Sequence, residues 1–452
     1  MSHRRTTGIQ RREALQVGFS GLVGLGMSSL AKSAPTPRTP KSVIVVYLTG
    51  APSHIDTFDP KPDAPPEIRG DFGVIRTSVP GTIVSEHLPL LAKQAHKYAI
   101  VRTLSHKDNN HLVATHHVLT GHQQPGAFFD KVASRDDWPS YSAGLNYLRP
   151  SSDGTPAGVN LPTFLMEGPL TWPGQHGGFL GPKHDPWQIS KDPNAKDFAV
   201  ENLRPSAGLA SGQLDDRRSL LYEVNAQQRW LAESAEGRKL TDQQDRAFAL
   251  LSSGKVAQAF DLAQETPATR DRYGRHSFGQ SLLLARRLVQ SGVRVVQANL
   301  GRVQNWDTHG NNFGRLKNEL LPPTDRGVAA LLDDLDSSGM LADTLVMVLG
   351  EFGRTPKVSM PKDQKSAGRD HWAPCFFGLF AGAGVRGGQV VGRSDKTGAY
   401  PATNPYSPDD VGATVYHTLG VDPASEVRDR LNRPVTLNNG QVIRSLFTGA
   451  AG

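Results

Sequence analysis

The sequence of 452 residues contains only one cysteine, Cys375. A single cysteine excludes an internal disulfide, even in an oxidising compartment. The folded chain must therefore be stabilised by a hydrophobic core, and a chain of this length can bury a large one.

The sequence also has little net charge beyond its first residues. Its formal net charge is +7, and residues 1–34 alone carry +4 of it. The charged residues of that segment are Arg4, Arg5, Arg11, Arg12, Lys32 and Glu13. The charge that remains is too small to indicate nucleic-acid binding, and no basic tract or aromatic stacking motif accompanies it. We expect no nucleic acid among the partners.

An apolar run long enough for a stable membrane span is missing as well. The uncharged stretch 15–31 is too short and too rich in glycine for one. The basic residues before it and the small residues after it instead indicate an export signal over residues 1–34. Arg11 and Arg12 resemble a twin-arginine signal, although the residues around them depart from the preferred ones. An ordinary secretory signal or an uncleaved anchor is the alternative. We predict a periplasmic or cell-envelope protein, with residues 35–41 as a linker.

Four apolar, β-branched stretches that end in histidines and carboxylates are the main feature of the remaining sequence. The stretches are 43–48, 98–104, 293–300 and 344–350. They lead, respectively, to His54 and Asp56, to His106 and His111, to Asp307 and His309, and to Glu351, Asp370 and His371. Loops at the carboxyl ends of parallel strands converge on one crevice, so we expect these side chains to share a site.

Helical and strand patterns alternate along the chain. Residues 278–289 and 325–335 have apolar faces at helical spacing, and each is followed by a glycine and a buried strand. This alternation predicts an α/β fold, a three-layer α/β/α sandwich with a mostly parallel sheet, over residues 42–452. Residues 122–178 are predicted as long loops over the site and residues 214–264 as a helical insertion.

Each polar cluster has a plainer interpretation beside the functional one. His54 and Asp56 can share a face of an extended turn, or each can simply bond to the backbone. Of the five histidines in residues 106–122, at most two or three can converge. Arg354 can bind a tetrahedral oxyanion with two parallel hydrogen bonds, or it can form an ion pair with Glu351.

Asp307 and His309 stand two residues apart among glycine and asparagine, which makes a buried core histidine the weaker alternative there. A carboxylate and an imidazole together suit a divalent metal ion. We therefore predict a metal centre with one or two ions per chain, zinc or manganese in the first place. Its predicted ligands are His54, Asp56, Asp307, His309, Glu351 and His371.

Several sequence blocks, spread over almost the whole chain, resemble a known family. They are GAPSHIDTFDP at 50–60, LTG at 119–121, GFLGP at 178–182, WDTHGNN at 306–312, GEFGRTP at 350–356 and GRDHW at 368–372. By these blocks the chain is identified as a member of the bacterial exported family catalogued as domain of unknown function fifteen-oh-one. That family is similar to the alkaline phosphatase and sulfatase superfamily. The resemblance implies an alkaline-phosphatase-like α/β/α sandwich, two divalent metals and hydrolysis of phosphate or sulfate esters.

The sequence departs from that superfamily at two places. Glu351 and Phe352 stand where its members usually carry an Asp-His pair, so one imidazole ligand is missing. His111, ten residues before Gly121, stands where sulfatases carry the cysteine or serine that becomes formylglycine. Formylglycine chemistry at that position is therefore excluded, and His111 is a nucleophile, a metal ligand or neither.

The clusters and the resemblance together predict an exported metal-dependent hydrolase of phosphate or sulfate esters. Its substrate is expected to be a small molecule or a polysaccharide ester. In this hypothesis Arg354 holds the substrate oxyanion, and His111 or a hydroxide activated by the metal attacks. The alternative is a non-catalytic envelope protein that uses the same fold to bind a partner or a polysaccharide.

Overall fold

The structure, a computed structural model, describes residues 41–126, 132–151, 153–200, 254–360, 362 and 365–448. The predicted export signal, the linker up to residue 40 and most of the predicted helical insertion lie outside these residues. The described end of the insertion is a helix, Gly254–Ala259, followed by a 3-10 turn at Leu262–Gln264.

Eight strands form one central sheet. In chain order they are β1 (Ser42–Tyr47), β2 (Tyr98–Leu104), β3 (Gly158–Leu161), β4 (Trp187–Gln188), β5 (Val295–Asn299), β6 (Thr344–Leu349), β7 (Phe376–Ala381) and β8 (Gln389–Val391). Their order across the sheet is β8-β2-β7-β6-β1-β5-β3-β4. Every pairing is parallel except the two made by β7, which runs antiparallel to both neighbours. The predicted mostly parallel sheet is confirmed.

Helices cover both faces of the sheet. The five longest described are α1 (His111–Thr120), α2 (Tyr141–Leu148), α3 (Ser277–Gln290), α4 (Leu321–Ser337) and α5 (Pro408–Thr418). The apolar sides of α3 and α4 contribute to one hydrophobic core, and those of α1, α2 and α5 contribute to another. In the described part of the chain, no helix combines the length and apolarity that crossing a membrane requires.

Strand β1 shows why two cores form. Successive side chains of a strand point to opposite faces of the sheet. Ile44 and Val46 accordingly belong to the core with α3 and α4, whereas Val43 and Val45 belong to the core with α1, α2 and α5. All six residues of the strand are buried, as expected for the centre of a doubly covered sheet. The predicted three-layer α/β/α sandwich is thus confirmed.

Shorter elements connect the layers. Short helices span Pro66–Arg69, Pro89–Lys93, Pro267–Tyr273, Asn312–Arg315 and Ser445–Thr448, with a π-helical turn at Leu316–Leu320. Further 3-10 turns span Ala95–Lys97, Gly178–Leu180, Pro182–His184 and Met340–Asp343. Two-stranded ribbons pair Val74–Arg76 with Ile83–Ser85, Met166–Glu167 with Leu170–Thr171, Gly353–Arg354 with His371–Trp372, and Glu426–Arg428 with Pro434–Thr436.

The segment 122–178, predicted as long loops, is loop only in part. It contains helix α2, and it contributes strand β3 to the sheet beside β5. Strand β3 has only four residues, all of them buried. Its apolar run is too brief to mark a core strand in the sequence, and it is stabilised by backbone pairing with β5 and β4 on its two sides.

Helix α3 begins with an unusual cap, which makes its stability sensitive to pH. Nδ1 of His276 accepts a hydrogen bond from the backbone N–H of Gly279 at 3.1 Å. Nδ1 can accept only while it carries no proton, so the ring must be neutral. Burial, together with the charge of Arg326, lowers the pKa of His276 below its usual value of 6.5. A lowered pKa means that this contribution is complete above the unfolded pKa and is lost as the pH falls through the folded one.

We therefore expect His276→Asn, which keeps an acceptor that does not titrate, to make α3 less sensitive to acid. Between about pH 7.5 and about pH 5, the wild type should lose more unfolding free energy than this variant. Urea denaturation at both pH values measures the difference. His276→Ala, which has no cap at either pH, should cost about 1 kcal/mol near neutral pH. Equal pH dependence of wild type and His276→Asn would contradict the assigned role.

Candidate metal centre

The loops after β1, β2, β5 and β6 meet at the carboxyl edge of the sheet. Gly50, just after β1, donates its backbone N–H to Oε1 of Glu351, just after β6, at 2.9 Å. Gly50 has a φ of +102°, and a Cβ there would lie 2.7 Å from the backbone nitrogen of Asp307. Only glycine fits this turn, because both the positive φ and the close approach exclude a side chain. His111, after β2, completes the group by contacting Glu351.

Three histidines surround Asp307, and each has its Nδ1 atom bound on the side away from that carboxylate. The contacts are His111 to Oε1 of Glu351 at 2.5 Å, His309 to Oδ1 of Asp370 at 2.5 Å, and His371 to the backbone oxygen of Asn109 at 2.7 Å. Carboxylates and carbonyl oxygens only accept hydrogen bonds, so the Nδ1 atom of each ring carries a proton.

The Nε2 atoms of the same three rings converge on Asp307. Those of His309 and His371 lie 2.9 and 3.2 Å from Oδ1 of Asp307, and that of His111 lies 3.4 Å from Oδ2. The Nε2 atoms of His309 and His371 are only 3.0 Å apart. In neutral rings protonated at Nδ1, every one of these Nε2 atoms is an acceptor facing other acceptors. The arrangement requires cations between them, either protons or a metal ion.

The pKa shifts of Asp307, His111 and His309 also indicate that positive charge is favoured at this place. Burial raises the pKa of Asp307, but the hydrogen bonds of the three histidines and the charge of Arg354 outweigh it and hold this pKa far below its usual range. Burial lowers the pKa of His111, yet contacts with Asp307 and Glu351 raise it above 6.5 overall. The hydrogen bond to Asp307 likewise raises the pKa of His309 against the effect of burial. The raised pKa values of His111 and His309 thus favour protonation of these two rings in the absence of a metal.

Arg354 has a different position from the one predicted. Its side chain is fully buried, and one of its Nη2 contacts is Oδ1 of Asp307 at 2.5 Å. Its other donors reach backbone oxygens, including that of Ala51 at 2.8 Å and that of Gly50. Arg354 therefore forms an ion pair with Asp307, and not with Glu351 as in the predicted alternative. The guanidinium thus has no exposed face for a substrate oxyanion, and it fixes Asp307 instead.

Glu351, predicted as a metal ligand, lies behind His111 in the structure. Its side chain is fully buried, and its oxygens accept from the backbone of Gly50 and from Nδ1 of His111. This is the position of a group that orients a ligating histidine and makes it more basic. Three other residues of the predicted ligand set, Asp307, His309 and His371, do lie together.

We expect Glu351→Gln to weaken zinc binding about 10–100-fold, as loss of a carboxylate behind a ligating histidine does elsewhere. Glutamine keeps the size and can still accept from Gly50, but it removes the charge that holds the proton on Nδ1 of His111. Competition with a chelator of known affinity measures the effect. The exposed Glu67→Gln is the matched control. An unchanged affinity would contradict an orienting role.

His54 and Asp56, also predicted as ligands, belong to other contacts. Nε2 of His54 binds the backbone oxygen of Gly398 at 2.7 Å, and burial lowers the pKa of this histidine. Asp56 is fully buried in a two-pronged ion pair with Arg369, with distances of 2.8 and 2.9 Å. Asn312 donates a further hydrogen bond to Asp56 at 2.9 Å. The sequence cannot indicate this pair, because its two members lie far apart along the chain.

The surroundings of His111 leave the site open on one side. The ring of His111 stacks on those of Phe352 and Trp172, with centroid distances of 4.9 and 5.9 Å. Its side chain is 5% exposed, compared with 36% for His309 and 59% for Asp370. A small molecule therefore has access from the side of His309 and Asp370.

Two supporting groups were not assigned roles from the sequence. Asn109 provides the backbone oxygen that binds His371, and Asp370 binds His309. Gly368 lets the loop of Asp370 pass close to the one that carries His309, since a Cβ there would lie 2.2 Å from the His309 backbone oxygen. The GRDHW block at 368–372 was the sequence signal that could have indicated the role of Asp370.

Three solved structures illustrate what the chain is similar to. One is the PsFucS1 sulfatase from Pseudoalteromonas sp., with 14% identity, a TM-score of 0.38, and coverage of 91% of this chain and 72% of that chain. Another is a protein in the alkaline phosphatase superfamily from Vibrio parahaemolyticus, with 10% identity, a TM-score of 0.39, and coverage of 92% and 79%. The third is the alkaline phosphatase from the Antarctic bacterium TAB5, with 11% identity, a TM-score of 0.35, and coverage of 85% and 99%. These values carry no conclusion about activity.

A search among proteins of curated function finds no match. The family assignment depends instead on a sequence profile that covers residues 40–447, almost the whole chain. This match confirms the family that the sequence blocks indicated. The chain belongs to the family described as "Protein of unknown function (DUF1501)".

Proposed function

We propose that the protein is an exported hydrolase of phosphate or sulfate esters that depends on a divalent metal ion and does not use formylglycine. The observation that carries this proposal is the convergence of three imidazole Nε2 atoms on one carboxylate, each with its Nδ1 proton fixed from behind. Such a donor set suits zinc or manganese. Export by the N-terminal segment is part of the proposal.

The residues that would hold the ion are His111, His309, His371 and Asp307. This set replaces the predicted one, with Glu351 in the position behind His111. When bound, a divalent ion lowers the pKa of a water molecule and stabilises the charge that develops on an ester oxygen. His111 then acts as a ligand in this proposal and not as the nucleophile.

The remaining side chains keep the site in one arrangement. Arg354 and the Gly50 turn fix Asp307 and Glu351, and the rings of Phe352 and Trp172 hold His111 in place. Preorganised ligands of this kind need little rearrangement during the reaction. The exposed edge beside His309 and Asp370 is where we place the substrate, either a small molecule or an ester group on a polysaccharide.

Cys375 is excluded from the chemistry. It is buried, its Sγ donates to the backbone oxygen of Arg102 at 3.5 Å, and burial raises the pKa of its thiol to about 12. A buried thiol with so high a pKa carries little thiolate near neutral pH and is therefore a poor nucleophile.

A non-catalytic envelope protein with a bound metal is the second candidate. It is favoured by one specific observation: Arg354, the guanidinium expected to hold a substrate oxyanion, is fully buried. In this case the exposed edge beside His309 and Asp370 binds a polysaccharide or a partner without turnover.

The two candidates are separated by turnover on a panel of aryl phosphates, phosphodiesters and aryl sulfates. The assay uses the exported chain saturated with zinc or with manganese. Metal-dependent hydrolysis that disappears after chelation and returns with added metal supports the hydrolase. Metal binding without turnover on any member, combined with retention on a polysaccharide column, favours the binding protein instead.

A further inference from the structure

A second group of potential metal ligands is formed by the loop that joins β2 to α1 and by α1 itself. It consists of His106, Asp108 and His117, whose nearest ligand atoms all lie within 4.8 Å of one another. His106 and Asp108 come from the loop itself, and His117 comes from the second turn of α1. None of the three belongs to the cluster around Asp307.

His117 has one buried nitrogen without a hydrogen-bond partner in the described part of the chain. Its Nε2 lies 2.6 Å from Oδ2 of Asp409, and a carboxylate only accepts, so Nε2 carries the proton. Its Nδ1 is therefore an acceptor, and it is buried without a hydrogen-bond partner in a residue that is only 3% exposed. Burying a polar atom without a partner costs free energy, so such an atom indicates a missing ligand.

The other two members also carry acceptor atoms. Nε2 of His106 lies 2.6 Å from the backbone oxygen of Glu351 and donates to it, so Nδ1 of His106 is also an acceptor. Within the described residues, this Nδ1 accepts one hydrogen bond, from the backbone N–H of Asp108 at 3.1 Å. Oδ2 of Asp108 is buried and has no partner. The group thus contains two imidazole acceptors and a carboxylate, and a single N–H, that of Asp108, is bound to one of them.

We propose that His106, Asp108 and His117 bind a second divalent cation, of the zinc type, with a structural role. Two imidazole nitrogens and one carboxylate are ligands that zinc accepts, and each histidine has the acceptor behind its other nitrogen that ligating histidines usually have. Those acceptors are the backbone oxygen of Glu351 for His106 and the carboxylate of Asp409 for His117.

The cation would fix the loop that builds the first site. The same loop carries Asn109, whose backbone oxygen binds Nδ1 of His371 and whose side-chain oxygen accepts from the backbone of Ala373. Glu351 connects the two groups directly, because its carboxylate binds His111 and its backbone oxygen binds His106. Filling the second site therefore positions ligands of the first without contacting a substrate.

Metal content measured by elemental mass spectrometry tests this site without any assay of activity. The exported chain, purified without chelator and saturated with zinc, should hold two ions. Asp108→Asn and His117→Asn should each hold one ion fewer, while the exposed Asp63→Asn should hold the wild-type number. Circular dichroism verifies that each variant is folded, and Asp108→Asn, the milder change, decides the outcome if His117→Asn fails to fold.

The result also separates this site from the first. One ion left in Asp108→Asn and one left in Asp307→Asn supports two independent sites. A wild type with one ion that is lost in Asp108→Asn and kept in Asp307→Asn supports the second site and rejects the first. A folded Asp108→Asn that keeps the wild-type zinc content overturns the proposal, whatever Asp307→Asn shows.

Discussion

Replacing Asp307 by asparagine is expected to remove the cation that we propose at the three histidines and, with it, the proposed ester hydrolysis. Asparagine has nearly the same size, but it has no charge to balance the ion or the buried Arg354. Changes to groups that merely orient metal ligands already cost about 10–100-fold, so we expect a loss of more than about 100-fold in kcat/KM for this ligand. The measurement is kcat/KM on the best ester of the panel, together with zinc content.

The control for this variant is the same substitution at a position outside the site. Asp63→Asn makes the same chemical change at an exposed position and should retain wild-type zinc content and rate. Because Arg354 has no exposure, Asp307→Asn also leaves a guanidinium without its ionic partner, and thermal unfolding must show that the variant is folded at the assay temperature. A folded variant with full metal content and full rate would falsify the proposed ligand set.

Asp56→Asn is expected to destabilise the fold by about 3–5 kcal/mol without changing the metal content of the folded protein. The reason is the buried pair with Arg369, in which both side chains have no exposure. Removal of one charge leaves the other in the interior without compensation. Urea denaturation gives the free energy of unfolding, and elemental mass spectrometry of the folded fraction gives the metal content.

A double-mutant cycle distinguishes this pair from a metal site. Arg369→Gln alone should also be costly, because it leaves Asp56 unpaired, whereas Asp56→Asn combined with Arg369→Gln should recover part of the loss. Residues in direct contact show coupling energies of about 0.5–3 kcal/mol in such cycles. Loss of one metal ion in a folded Asp56→Asn variant would instead restore the original interpretation of Asp56 as a ligand.

The fold could be predicted from the sequence because its main elements are encoded locally. Residues 278–289 show helical spacing, a glycine ends that pattern, and an apolar run then forms β5. Strand β3 escaped prediction because four residues carry too little periodicity. Its place beside β5 is decided by backbone pairing with segments more than a hundred residues away, which local patterns do not contain.

For the site, the sequence could predict which loops meet but not which side chains face each other. Asp307, His309, His371 and His111 follow strand ends, and the parallel sheet brings such ends together. The roles of the carboxylates depend on side-chain direction and on partners distant in the chain. Glu351 turned toward Gly50 and His111, and Asp56 turned toward Arg369. Neither of these contacts can be recognised from residue spacing or composition.

The position of β1 has a consequence for the order in which the protein forms. This strand is the first of the sheet in the chain, yet it lies at the centre, where Val43 pairs with Val295 on one side and with Leu345 on the other. Both partners are synthesised long after it, so a growing chain carries an apolar strand with two unsatisfied edges until β5 and β6 have emerged. Such exposed strands promote aggregation, and pairing across long sequence separations is slow. Chains truncated before β6 should therefore be insoluble. During synthesis, β1 needs protection from aggregation until β5 and β6 have paired with it.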